Sequence, residues 1–396
     1  MKFEMKTKAL RFLSDIQTGP FGSQLHKEDY VDDGTPIVTV EHLGNRVFTE
    51  QNLPRVSNED KQRLSKYILK EGDVVFSRVG SVDRCSFVDS QHTGWLFSGR
   101  CLRVRPFEEI SPLFLYYFFC LESTKKFIRN IAVGATMPSI NTKLMGEIEV
   151  SYPDKQVQEK IANLLGAIDD KIELNNAIND NLYEMVNAYY TSLFKDVECE
   201  MTTIGNYAER IYSGGTPTTS NAAYWGGTFG WFSSGETRNR FVISTEKSIT
   251  QTGIDNSSTK LASKHDIVMA SAGQGFTRGQ TSMLLIDTYV NQSVIVIHAD
   301  RNILPYLLWN LANRYEELRA ISDSSSIRGS LTTKMIAAFE IPLANNDVIQ
   351  TFSDFAWAVI PQIENNLLEN ERLAALRDSL LPKLMSGELD VSAVEL

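Results

Sequence analysis

Apolar residues recur at alternating steps of three and four from Val157 to Phe194, the spacing of one seam along a helix. The seam reads Ile161, Leu165, Ile168, Ile172, Asn175, Asn179, Leu182, Val186, Tyr189, Leu193. At an offset of 191 residues it reads Phe352, Ala356, Val359, Ile363, Asn366, Asn370, Leu373, Arg377, Leu380, Leu384. Seven of the ten positions are apolar in both copies, and the two shared polar positions are asparagine in both. Any amphipathic helix has the spacing; matched asparagines inside the seam are a much stronger sign of an internal repeat. Two long helices, Val157–Phe194 and Val348–Met385, are therefore expected to pair as an antiparallel coiled coil. Midpoint then faces midpoint, which brings Asn175 and Asn179 to Asn366 and Asn370. The pairing residues expected are Ile168, Ile172, Asn175, Asn179, Leu182, Val359, Ile363, Asn366, Asn370 and Leu373. Pro361 lacks a backbone donor and either kinks the second helix or starts a new one.

The stretches before each helix alternate short β-rich runs with Gly, Pro and Asn turns. Pro36–Val40, Asp73–Ser77 and Cys101–Val104 read as strands, and Ser111–Asn130 as an aromatic-rich helix. Trp231–Phe232, Asp266–Met269 and Ser293–Ile297 repeat the strands, and Leu304–Ile321 the helix. The predicted fold class is α+β: two tandem copies of a β-rich globular domain, each followed by a long helix. The segments are residues 1–150, 151–199, 200–341 and 342–396.

Composition is that of an ordinary globular chain, with 42% hydrophobic and 22% charged residues among 396. The longest apolar run, Leu113–Leu121, is far short of the ~20 residues of a membrane span. The cysteines at 85, 101, 120 and 199 form no CxxC pair, and no signal segment opens the chain, so a cytoplasmic protein with reduced thiols is expected. The net charge of −10 is unevenly placed: +1 in residues 1–150, −5 in 151–199, 0 in 200–341 and −6 in 342–396. The acidity sits on the helical stretches, so the neutral globular segments are free to present local basic faces to nucleic acid. No GxxxxGK[ST], GxGxxG or HExxH is present, nor Asn-Pro-Pro or Asp-Pro-Pro, and the chain is expected not to be an enzyme.

Three features resemble the specificity subunit of a type I restriction-modification enzyme. One is Thr18-Gly19-Pro20-Phe21-Gly22 with Gly34-Thr35-Pro36, answered by Ser213-Gly214-Gly215-Thr216-Pro217 and Tyr224-Trp225-Gly226-Gly227. The second is the run from Gly72 to Gly80, answered by His265 to Gly273. The third is Gln158-Glu159-Lys160-Ile161-Ala162 running into Leu165–Ile172. The resemblance covers nearly the whole chain. It implies target-recognition domains that each read half of a split double-stranded DNA site, on helices that space them and dock two modification (methyltransferase) subunits and the restriction (translocase and nuclease) subunits. Methyl transfer and cleavage then belong to those partners, and neither S-adenosylmethionine nor ATP is expected to bind this chain. A helix of ~38 residues is roughly 57 Å long, the length of about 17 base pairs.

The DNA-binding residues expected are polar and cationic loop residues: Arg46, Ser77, Arg78, Arg84, Asn141 and Lys143 in the first domain. In the second they are Arg238, Arg240, Ser271, Gln274, Arg278, Arg328 and Lys334. Arginine suits guanine edges, Asn and Gln suit adenine, and Lys meets phosphate. Arg78 and Arg84 can equally be a solvated hairpin tip, and Trp95, Tyr224, Trp225 and Trp231 core or rim residues. The rival function is a protein-interaction scaffold with no DNA role. The repeat also carries an expectation for residues 1–199 alone. With Val186 standing in for Arg377, two copies of the first helix should pair as a symmetric antiparallel dimer.

Overall fold

The computed structural model describes residues 4–20, 22, 24–134, 136–273, 276–324 and 329–391. The chain forms two compact units, each discontinuous in sequence: Met1–Ile172 with Arg372–Leu396, and Glu173–Glu371.

The first unit is built on an antiparallel sheet in the order Ser14–Thr18, Cys101–Pro106, Val74–Ser77, Cys85–Phe87. All four residues of Val74–Ser77 are buried, because the two faces of this strand serve two cores. Successive side chains of a strand point to opposite faces. Val74 and Phe76 accordingly join the core under the helices Pro112–Cys120 and Glu122–Ile131. Val75 joins Cys101 in the core under a second, smaller sheet of Tyr30–Val31, Arg55–Val56, Thr35–Val38 and Leu96–Phe97. A short ladder of Lys6–Ala9 with Glu149–Tyr152 closes the domain just before the long helix. The helix expected over Ser111–Asn130 is two helices, broken at Leu121, whose backbone turns extended at ψ 131°.

The second unit repeats this plan. Its main sheet runs Ala208–Ser213, Val294–Ala299, Ile267–Ala270, Thr281–Leu284, Phe241–Val242. Ile267 and Met269 face the helix-covered core, and Val268 faces the other with Val294 and Val296. Glu200–Thr203 pairs antiparallel with Glu340–Leu343 before the second long helix. The helix expected over Leu304–Ile321 is again two, Leu304–Asn313 and Tyr315–Ser324.

The long helices are Lys155–Phe194 and Asn346–Met385, matched residue for residue at the offset of 191. The second runs unbroken through Pro361, so the proline starts no new helix. In the second unit Asn175 Nδ2 donates to Asn370 Oδ1 at 2.9 Å and to Glu369 at 2.8 Å. Asn366 Nδ2 donates to Asn179 Oδ1 at 2.8 Å. Rising numbers meet falling ones, so the helices run antiparallel there. Ile363 (2% exposed) and Val359 are buried beside this network, and Leu182 is half-buried against the same core. In the first unit Ile168 is buried, whereas Ile172 and Leu373 are half-exposed. Arg377, which reads as a flaw in the seam, is no flaw in the first unit. Its Nη1 donates to Asp169 Oδ1 at 2.7 Å, and the Tyr117 hydroxyl donates to Asp169 Oδ2 at 2.7 Å.

Candidate nucleic-acid interface

Two buried aspartates fix the strands from which the candidate loops spring. Asp73, without exposed surface, accepts from Lys70 N–H at 2.8 Å and from Arg105 Nε and Nη2 at 2.7 Å each. Asp266 accepts from Ser263 N–H at 2.9 Å and is paired at 2.5 Å with His298. A buried carboxylate is tolerated when it is fully hydrogen-bonded and matched by charge. The aspartate of the repeated Asp-Val-Val and Asp-Ile-Val runs is therefore an anchor that starts a central strand.

The glycines of the fingerprint have a steric reason. A Cβ on Gly19 would lie 2.0 Å from the Ser98 carbonyl oxygen, and one on Gly214 would lie 1.9 Å from that of Val290. In both units the chain leaving the main sheet's edge strand presses against the backbone shortly before the neighbouring strand, Cys101–Pro106 or Val294–Ala299. Phe21 of the same motif lies outside the described residues.

At the far end of Val74–Ser77 several backbone bonds gather three loops. Arg78 N–H donates to Arg100 O at 2.8 Å, Gly80 N–H to Pro138 O at 2.8 Å, and Ile140 N–H to Arg78 O at 3.0 Å. Arg78, Arg100, Asn141 and Lys143 thus share one edge of the unit. The second unit repeats the crossing, with Ser271 N–H on Ser293 O at 2.9 Å and Leu331 N–H on Ser271 O at 2.8 Å. Lys334 follows in the first turn of a short helix capped by Thr332, as Lys143 follows Asn141.

The expected DNA-binding residues divide by what their polar groups already do. Ser77 is buried and donates its hydroxyl to Val79 O at 2.7 Å, holding the turn. Asn141 caps its helix by accepting from Leu144 N–H at 2.9 Å. Arg46 reaches the long helix, donating to Asp170 at 2.5 Å and Gly166 O at 3.3 Å. Arg84 donates to Leu43 O, and Arg78 to Gly99 O at 3.2 Å. Arg240 stacks on Tyr183 at 4.1 Å, with Asp180 at 3.5 Å. Arg278 ties Asp323 at 2.6 Å, Ser322 at 3.2 Å and Gly329 O, so its guanidinium holds the end of Tyr315–Ser324 to Gly329. Arg238 is exposed and leans on Gly235 O at 2.8 Å and on Glu246. Ser271 is buried. Lys143 and Lys334 are exposed. Gln274 and Arg328 lie outside the described residues.

Sequence reasoning passed over Arg100, exposed on the same edge as Arg78. Gln158, which the sequence offers only as part of a helical motif, is buried and accepts from Ser111 N–H at 2.7 Å while donating to Pro153 O at 2.9 Å. Gln158 seats the start of the long helix against the start of Pro112–Cys120. Among the described residues no helix is long and apolar enough to cross a membrane.

A family described as the type I restriction modification DNA specificity domain matches the chain twice, over residues 4–184 and 197–369. The chain is similar to the type I restriction enzyme HindI specificity subunit of Haemophilus influenzae, at 22% identity over 84% of this chain and 90% of that protein. It is similar to the MjaIX specificity subunit of Methanocaldococcus jannaschii, at 21% identity over 97% of this chain and 93% of that one. The solved S subunit of a type I restriction-modification system from M. genitalium shares its fold, with a TM-score of 0.58 at 16% identity over 97% of this chain and 96% of that one. With both units matched along most of their length, the chain belongs to the family of type I restriction modification DNA specificity domains and carries two copies of the domain.

Proposed function

We propose that this chain is the DNA-reading, non-catalytic subunit of a type I restriction-modification complex. The observation that carries the reading is the presence of two DNA specificity domains in one chain. Residues 1–150 and 200–341 each read one half of a split duplex site, and the helical stretches 151–199 and 342–396 hold the two readers at a set spacing. Two modification subunits and the restriction subunits supply methyl transfer and cleavage in the cytoplasm, so the chain itself handles neither S-adenosylmethionine nor ATP. Leu174, Ile178 and Met185, exposed by 55, 37 and 45% on one face of the first long helix, are offered to a modification subunit.

Within each domain the reading edge is the one that carries Arg78, Arg100 and Lys143, or Lys334, with exposed Arg238 as a further reader in the second domain. These side chains lie at the ends of loops set on rigid strands, and cationic residues there serve both base edges and phosphates. Arg46, Arg84, Arg240 and Arg278 act through the loops they hold. The test is selection of random duplexes by the chain assembled with its modification subunits, followed by salt titration on the selected site. A bipartite consensus is expected, with affinity falling steeply as salt rises. Lys143→Ala should weaken binding evenly across sequences, while Arg78→Ala should relax one position in one half only, at a cost of ~1–3 kcal/mol. Recovery of no consensus, together with no duplex affinity at low salt, would refute the reading in favour of a scaffold.

A further inference from the structure

Around Leu113–Phe118 and again from Thr142 onward the two units are equivalent at an offset of 191. Thr142–Gly146 and Thr333–Ala337, Glu149–Tyr152 and Glu340–Leu343, and the long helices themselves all correspond at it. At three equivalent core positions the residues differ in kind. In the first unit these are Tyr117, Asp169 and Arg377, where Asp169, with 5% of its side chain exposed, is held by the other two at 2.7 Å each. In the second unit they are Leu308, Ile360 and Val186, which are 3, 1 and 0% exposed in a single apolar core.

We propose that this polar triad determines which partner the seam accepts. It makes the first unit take the end of the second long helix and reject the matching stretch of the first helix from another copy. If two first halves paired, Val186 of one would take the place of Arg377 beside Asp169 of the other. Each Asp169 would then be buried with its charge unmatched, twice over in a symmetric pair. Breaking a buried ion pair by removing one partner is strongly unfavourable, because the other charge has lost water without recompense. Two second halves would likewise set Arg377 against Ile360 and Leu308. Only the mixed pairing satisfies all six positions.

The asparagines cannot supply this discrimination. Asn175 and Asn179 occupy the places of Asn366 and Asn370 in the repeat, so pairing two first halves would keep an asparagine at each of these four places and lose only the contact to Glu369, whose equivalent is Ile178. The choice therefore falls mainly to the triad, and the symmetric dimer expected for residues 1–199 is disfavoured. Burial works to lower the pKa of Arg377, but the hydrogen bond and charge of Asp169 outweigh it and hold the guanidinium ionised. Burial, then the charge of Asp169, keeps the Tyr117 hydroxyl protonated as a donor. No DNA enters this inference, and its test is independent of the functional reading.

The experiment uses the full chain with a protease site placed at the exposed Lys195 and Asp196, just after the first long helix, folded whole and then cut. Light and heavy isotopic preparations are mixed until exchange of pieces is complete, and native mass spectrometry counts mixed and like-with-like pairs. With the natural triad the like-with-like pairs should be rarer by on the order of 100-fold or more, from the cost of uncompensated buried charge. The variant D169I/R377V/Y117L, which gives both units the apolar set, should fold and bring all pairings within about tenfold of each other. Should that variant fail to fold, the reciprocal I360D/V186R/L308Y, with the polar set in both units, should show the same loss of discrimination. Free scrambling by the natural chain would overturn the proposal. So would a folded apolar variant that stays wholly mixed.

Discussion

Removing the Asp73 carboxylate tests whether the strand-starting aspartates are anchors. Asp73 has no exposed surface and accepts three hydrogen bonds, two of them from Arg105. Breaking a buried pair costs ~3–5 kcal/mol, and exposure of the group left behind decides where in that range each change falls. Asp73→Ala leaves Arg105, whose side chain is 27% exposed and keeps Ile68 O at 3.1 Å, so it can regain some water. The expected cost is about 3 kcal/mol. Arg105→Ala instead leaves a wholly buried carboxylate with only Lys70 N–H, and should cost about 5 kcal/mol. In the double variant no charge is left stranded. It should be no worse than Arg105→Ala alone, about 3 kcal/mol short of additivity. Because two compact units need not unfold together, the assay is native-state hydrogen exchange at the amides of Val74–Ser77 and Cys101–Pro106. Unchanged exchange in Asp73→Ala, or additive losses in the double variant, would refute the anchor reading.

Gly19→Ala and Gly214→Ala each push a Cβ into backbone at 2.0 and 1.9 Å, and each should destabilise its own unit by roughly 2 kcal/mol or more. Gly22→Ala, whose Cβ meets nothing within 4 Å, serves as the control in the same thermal melts. Burial pushes the Cys101 thiol up to about 12, whereas an unfolded chain releases that proton near pH 8.5. The folded state holds the extra proton between those values, so the stability it contributes is present below about pH 8.5 and lost as pH rises towards 12. Urea midpoints measured across about pH 8 to 11 should fall less steeply for Cys101→Ala than for the natural chain.

The long helices were legible because a seam sustained over ten positions, with asparagine twice in each copy, admits one antiparallel register. Strands such as Val74–Ser77 were legible for the opposite reason: a short, continuous apolar run between turns is what a strand sandwiched by two cores requires. The breaks at Leu121 and Arg314 left no such trace, since helical spacing of apolar residues runs on across both. The site was legible only as residue type. Arg46 and Arg278 look like Arg100 in sequence. What separates them is Asp170, 124 positions from Arg46, and Ser322, 44 positions from Arg278. Arg377 misled for the same reason, its partner Asp169 lying 208 positions away.

The division of the long helices between the units sets an order of assembly during synthesis. The second unit, Glu173–Glu371, is complete once residue 371 has emerged. The first cannot close until Arg372–Leu396 follow, although its strands were made first. At ribosomal speeds of ~5–20 residues per second, the intervening stretch keeps the first domain waiting roughly 10–40 s for the helix end that carries Arg377. A nascent chain therefore holds an open helix-packing face around Leu165 and Asp169 longer than any other. Premature stops near the C-terminus would cripple the domain encoded at the opposite end of the gene while leaving the nearer one whole.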